Sequence, residues 1–245
     1  MNKSKSYSQL KNVNFNQSNR LIKARKLTHS TNHNRALILK NFSVNTSTDS
    51  IISQITCGPL EKLNYRHHPA NPTLEIHFVL SEGARKFYNY CTTTGFVVVD
   101  GKRLEVEWAN ESNTEDTTGS MGVPKYLFNE IVHGSARRVL ICLKIVPDKP
   151  LNHLSLTDFP NPELHLSKDF DIDLIKHDFS KYGEIVEFGA VISRKLCFSI
   201  HFTDIRSAIL AKTDLENKDS MMNAKYHDWF FWYGKDPTDK PCYHL

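Results

Sequence analysis

Thr73-Leu74-Glu75-Ile76-His77-Phe78 alternates polar and apolar residues, and its last three residues recur 124 positions later as Ile200-His201-Phe202. Period-two alternation marks a half-buried strand, here with Leu74, Ile76 and Phe78 turned inward. The offset persists beyond the strand. Ala84 meets Ala208, Trp108 meets Trp232, and Gly58 meets Gly183 to within one residue. Self-similarity at a fixed offset reads as one supersecondary unit used twice.

Working outward, the first unit starts with an apolar strand from Ala36 to Phe42. A short helix capped by Thr48-Asp49 carries Ile51, Ile52 and Ile55, and a strand runs from Leu60 to Tyr65. After 73–78, Ser81 caps a helix through Ala84, Phe87 and Tyr88. Phe96–Val99 and Leu104–Trp108 then form a hairpin around Asp100-Gly101, the strongest short turn signal in the chain. The second unit repeats the order: strand Val139–Ile145, helix Ile172–Tyr182, strands Ile185–Ile192 and Leu196–Phe202, helix Asp204–Leu215, strand Trp229–Tyr233. Both read βαββαβ, an α+β fold. The expected division is a polar tail over 1–34, a first unit over 35–110, a linker over 111–134 and a second unit over 135–245. An aperiodic insertion with three prolines occupies about 150–170. Tyr126-Leu127-Phe128 and Ile131-Val132 are apolar enough to dock on a neighbouring unit.

The formal charge of +4 is unevenly spread. Residues 1–34 hold seven of the 31 basic residues and none of the 27 acidic ones, so the body carries 24 bases against 27 acids. A basic arm on a near-neutral body suits polyanions, and Arg20, Lys23, Arg25 and Lys26 form its densest patch. That patch also fits nuclear import, and an acid-free, Ser- and Asn-rich leader fits a mitochondrial presequence. The five cysteines are widely spaced, without zinc or disulfide-framework spacing, so a reducing compartment, nuclear or cytoplasmic, is expected. No run near 18 apolar residues suggests a membrane span. The twelve histidines scatter, His67-His68 falls in a loop before Pro69, and Asp169, Asp171 and Asp173 complement a helix N-terminus. No nucleophile–base pair, metal cluster or phosphate loop stands out, so neither catalysis nor a cofactor is expected.

Asp178-Phe179-Ser180-Lys181-Tyr182-Gly183-Glu184-Ile185, Phe202-Thr203-Asp204-Ile205-Arg206-Ser207-Ala208 and Tyr233-Gly234-Lys235-Asp236 resemble segments of the RNA recognition motif (RRM). The resemblance covers about 35–110 and 137–240 and is greatest to fungal multi-RRM regulators of mRNA fate and meiosis. It implies a four-stranded antiparallel sheet backed by two helices, and single-stranded RNA held by aromatic stacking at roughly 1–3 kcal/mol per base. The positions that carry those aromatics in the family fall here on Ile38, Thr73 and Glu75 in the first unit. In the second they fall on Leu140 or Ile141, Cys197 and Ser199. None is aromatic, so RNA would have to be held differently.

The two open faces are expected to differ. The first presents Ile38, Thr73, Glu75, His77, Glu105 and Glu107, with only Lys40 and Arg103 to offset the carboxylates. It reads as a poor RNA platform and a better protein-contact or structural module. On the second lie Lys195, Cys197, Ser199 and His201. If Trp232 matches an inward Trp108, then Trp229, Phe231 and Tyr233 join them, flanked by Arg137, Arg138, Arg194 and Lys235. These residues are the candidate RNA site, acting in mRNA processing or post-transcriptional regulation. The alternative for the aromatic strand is packing under 236–245 or against the first unit. The alternative for the chain is a protein-interaction subunit of an RNA–protein assembly.

Overall fold

The computed structural model describes residues 34–110, 122–144, 171–192 and 196–241. The expectations for Arg20, Lys23, Arg25, Lys26, Arg194, Lys195 and the 150–170 insertion lie outside the described residues. In the first unit, β1 (Ala36–Lys40), α1 (Thr48–Gln54), β2 (Leu60–Arg66), β3 (Thr73–Phe78) and α2 (Ser81–Thr94) come first. The hairpin strands β4 (Val98–Val99) and β5 (Lys102–Arg103) and the strand β6 (Glu105–Trp108) follow. The second unit holds β7 (Val139–Lys144), α4 (Ile172–Ser180), β8 (Ile185–Ile192), β9 (Leu196–Phe202), α5 (Ile205–Glu216), α6 (Met221–Lys225) and β10 (Trp229–Tyr233). Between them lies α3 (Lys125–Val132).

The sheets run β2-β3-β1-β6 and β10-β7-β9-β8, antiparallel throughout. In each unit the first and third strands are therefore central, with the second and fourth at the edges. Alternation dictates the cores. Leu74, Ile76 and Phe78 pack with Leu37, Leu39 and Phe87, and Phe198, Ile200 and Phe202 pack with Leu140, Ala208 and Phe179. Each such side chain contributes about 1.5–3 kcal/mol by leaving water.

Local details depart from the sequence reading. The cap of α1 is Ser47, one residue earlier than expected, and α2 follows Leu80 with no side-chain cap. Asp100 and Gly101 both take positive φ, as a tight primed turn needs, but the hairpin they close is a separate two-stranded sheet. Only β6, beyond it, joins β1. Gly183 has φ +156°, and a Cβ there would lie 2.1 Å from Ser207 Oγ and 2.9 Å from its Cβ. Gly183→Ala is expected to cost about 1–3 kcal/mol, read as a lowered urea midpoint.

The repeat is deeper than its sequence. Phe78 N–H donates to Arg35 O (2.8 Å) and Phe202 N–H to Arg138 O (2.9 Å). The guanidinium of Arg35 returns a bond to Phe78 O (2.7 Å) and that of Arg138 to Phe202 O (2.8 Å). Each arginine ties the first strand of its unit to the end of the third.

The units are in direct contact. Leu63 N–H on the edge strand β2 donates to Thr203 O (2.9 Å), and Glu61 takes Arg35 on one oxygen and Arg206 on the other, both at 2.6 Å. Leu127 and Ile131 of α3 are buried with Val79, Ala136 and Ile205 and fill the seam, while Tyr126 is exposed. Past β10 the chain returns to the first unit. Thr238 Oγ1 donates to Gly58 O (2.9 Å), and Cys57 N–H donates to Lys240 O (2.9 Å). Cys57 is disulfide-bonded, against the sequence expectation, while Cys91, Cys142 and Cys197 are free. No helix among the described residues is long and apolar enough to cross a membrane.

Candidate interaction face

Register decides which side chains of β10 are available. Trp229, Phe231 and Tyr233 stand opposite Lys144, Cys142 and Leu140, and Leu140 and Cys142 are fully buried under the helices. Those three aromatics therefore share the inner face. Trp229 lies edge-on to Phe198 (5.2 Å between centroids), Phe231 meets Tyr226 (6.2 Å), and Lys212 Nζ sits over the Tyr233 ring (5.6 Å). Their assignment to the open face is corrected. Burial, with Glu130 and Glu216 nearby, raises the Tyr233 pKa.

The error lies in the anchor. Ala109 N–H donates to Ala36 O as Gly234 N–H donates to Val139 O, so in the last strand the offset is 125, not 124. Trp108, inward against Tyr88 (5.1 Å), thus corresponds to Tyr233 and not to Trp232. A slip of one residue exchanges the two faces of a strand. The outward pair is Phe230, opposite Leu143 and 45% exposed, and Trp232, half-buried opposite Ile141. Beside them run half-buried Ile141, Leu143, Cys197 and His201, a mainly apolar surface.

The cations expected to hold phosphate are internal. Arg138 is 1% exposed and makes two 2.9 Å bonds to the Asp236 carboxylate. Arg137 is 4% exposed and donates to Ala136 O (2.7 Å), and burial lowers its pKa against the pull of Asp239 and Asp236. Both leave the candidate RNA site. Lys235 is exposed at the end of β10.

His201 and Ser199 join a polar row instead of facing solvent. His201 Nδ1 lies 3.2 Å from Glu187 Oε2 and its Nε2 lies 3.0 Å from Ser199 Oγ. Burial and then the Arg138 charge lower the His201 pKa, which favours the neutral ring. The sequence reading missed this Glu–His–Ser row because Glu187 comes from the neighbouring strand. Ser199 is 8% exposed and donates to Gly189 O (3.4 Å), so its hydroxyl braces the sheet.

The first face also differs from expectation. Ile38, Glu75 and His77 are all buried, and His77 Nε2 lies 2.9 Å from Glu75 Oε1. His77 is therefore unavailable to RNA. Lys40 is paired with Glu107 (2.6 Å), and Arg103 donates to Cys91 O and Thr92 O at the end of α2. Both are engaged in holding the unit together.

No family model matches the chain. It is 33% identical over 222 residues to Sporulation-specific protein 2 of Saccharomyces cerevisiae, covering 86% of this chain and 56% of that protein. It is 26% identical over 202 residues to the Meiotically up-regulated gene 24 protein of Schizosaccharomyces pombe, covering 82% of this chain and 25% of that protein. The chain thus spans about half of the first relative and a quarter of the second. Among solved structures it is similar to RRM domains 1 and 2 of Prp24 from S. cerevisiae, at 11% identity and a TM-score of 0.30, over 82% of this chain and 96% of that one. A structure of the N-terminal three RNA-binding domains of the same yeast splicing factor matches at 14% identity and a TM-score of 0.26, over 85% and 69%. Scores this low carry no argument alone. The strand orders do: two βαββαβ units, each with first and third strands central and two helices on one face.

Both units have an RRM-like fold, a four-stranded antiparallel sheet with helices. In RRMs the central strands carry the base-stacking aromatics. Here the second unit presents Ile141 and Leu143 on β7 and Cys197 and Ser199 on β9, and its outward aromatics stand on the edge strand β10.

Proposed function

We propose that this chain is a non-catalytic protein-interaction module, built from two RRM folds, that works in fungal meiosis or sporulation through the open face of its second RRM. The similarity to a sporulation-specific and a meiotically up-regulated protein supports the process. The observation that carries the mode is that, among the described residues, the face is apolar where an RNA platform needs cations. Phe230, Trp232, Ile141 and Leu143 line it, while Arg137 and Arg138 are committed to internal bonds. A partner segment with apolar side chains suits it.

A second reading, single-stranded RNA, is favoured by the alternate outward rings of Phe230 and Trp232, since any base can stack on an aromatic ring. One experiment separates the two. The full chain carries a photo-crosslinking amino acid in place of Phe230 and is expressed in sporulating yeast. A protease-sensitive adduct that Trp232→Ala abolishes is the expected result. A ribonuclease-sensitive adduct would overturn the protein reading in favour of RNA. In solution, Phe230→Ala is expected to leave the urea midpoint nearly unchanged, whereas Phe231→Ala costs about 3–5 kcal/mol from the core.

A further inference from the structure

The last strands of the two units end their sheets in opposite ways. On β6 the exposed side chains are Glu105 and Glu107, and a charged edge repels a further strand. The edge strand β10 is Trp229-Phe230-Phe231-Trp232-Tyr233, aromatic throughout and without a charge. Aromatic residues suit strands, so its side chains do nothing to discourage further pairing.

Register shows which main-chain groups this edge offers. Gly234 N–H donates to Val139 O (2.9 Å), which makes these residues a hydrogen-bonded pair. Such pairs alternate along an antiparallel ladder, so Trp232 with Ile141 and Phe230 with Leu143 are the next ones. The N–H and C=O groups of Phe231 and Tyr233 therefore point away from β7. Among the described residues nothing bonds to them.

The edge is also self-complementary, as a contact between copies about a two-fold axis must be. A register with Phe231 opposite Phe231 would set Tyr233 opposite Trp229. Trp229 N–H already donates to Tyr226 O (3.0 Å), so that register strands Tyr233 C=O. With Phe231 opposite Tyr233, each N–H meets the other residue's C=O and every outward group of both is matched. Trp232 then faces Trp232 across the axis, in the kind of pair where side chains stand closest. Exposed Lys235 of each copy falls opposite Trp229 and beside Asp228 of the other. Asp228, 3.6 Å from Lys144 within one chain, so gains a second cation at each end of the contact.

We propose that β10 pairs antiparallel with β10 of a second copy of this chain, Phe231 opposite Tyr233, joining the two second-unit sheets edge to edge in a homodimer. This rests on the protein-interaction reading of the same face and supplies its partner. The joined strands gather Phe230 and Trp232 of both copies into one outward aromatic band, while Glu105 and Glu107 keep the first unit out of such pairing.

The test uses the full chain, measured by light scattering after size exclusion over a dilution series. The expected result is a mass twice that of one chain, falling towards one on dilution. Under oxidised glutathione Trp232→Cys should form an intermolecular disulfide mapped to position 232 on both chains, because residues so paired lie about 4.5 Å apart at Cα. Phe230→Cys, opposite Gly234 of the other copy, should form none. Trp232→Lys should leave a monomer. In the unsubstituted chain the Phe231 and Tyr233 amides should exchange with deuterium roughly tenfold more slowly when concentrated than when dilute. A single-chain mass at every concentration, or a dimer that neither links through position 232 nor slows those amides, would overturn the proposal. A monomer that still gives the protease-sensitive adduct at position 230 would overturn the homodimer alone, whereas a ribonuclease-sensitive adduct would overturn the reading beneath it.

Discussion

Arg138→Ala is expected to cost about 3–5 kcal/mol of the stability of the second unit. Asp236 is completely buried and takes two hydrogen bonds from this one guanidinium, at 2.9 Å each. Removing the arginine strands a buried carboxylate and leaves Phe202 O without the Arg138 bond of 2.8 Å. Asp236 also accepts from Thr238 N–H (3.1 Å) and Thr238 Oγ1 (2.8 Å), and Thr238 in turn reaches Gly58. The loss should therefore spread from the strand end to the strap between units. Urea unfolding gives the cost, and faster amide exchange at Thr238 gives the spread. An Arg138→Ala midpoint matching the parent protein, or an RNA affinity that falls without loss of stability, would restore Arg138 to a surface role.

Glu61→Gln should have the second large effect, again about 3–5 kcal/mol at neutral pH, because it leaves Arg35 buried against a neutral amide. Glu61 is 2% exposed and joins Arg35 of its own unit to Arg206 of the other. Burial alone would raise its pKa, but the Arg35 charge and hydrogen bond, followed by Arg206, more than offset this and hold it below the ordinary carboxylate value of 4.5. A carboxylate whose folded pKa is depressed stabilises the fold above its unfolded pKa and loses that contribution as pH falls through the folded value. The gap between parent and Glu61→Gln should therefore be full at pH 7 and shrink below about pH 4.5. Paired urea titrations at the two pH values measure it. A gap that stays constant into acid would mean that Glu61 does not join the units as an ion.

The fold was legible because burial writes itself into local pattern. Thr73–Phe78, Ile185–Ile192, Leu196–Phe202 and Trp229–Tyr233 are all strands where alternation or apolar runs place them. The faces were less legible. A run such as Trp229-Phe230-Phe231-Trp232-Tyr233 has no polar residue to mark its outer side, so its orientation follows only from its pairing with β7. Arg137 and Arg138 read as surface cations because their carboxylate neighbours lie about a hundred residues downstream. Glu187, His201 and Ser199 were each visible, but only strand pairing makes them a row.

Sequence alone determined that one α+β unit occurs twice, because inward residues must repeat with the period of their strand or helix. Tertiary structure decided everything that depends on long-range pairing: which aromatics of β10 face out, which arginines are consumed internally, and where Cys57 meets the tail. A strand's face depends on its hydrogen-bond register with a distant neighbour, and a charge's availability depends on what packs beside it. Neither quantity is local in the chain.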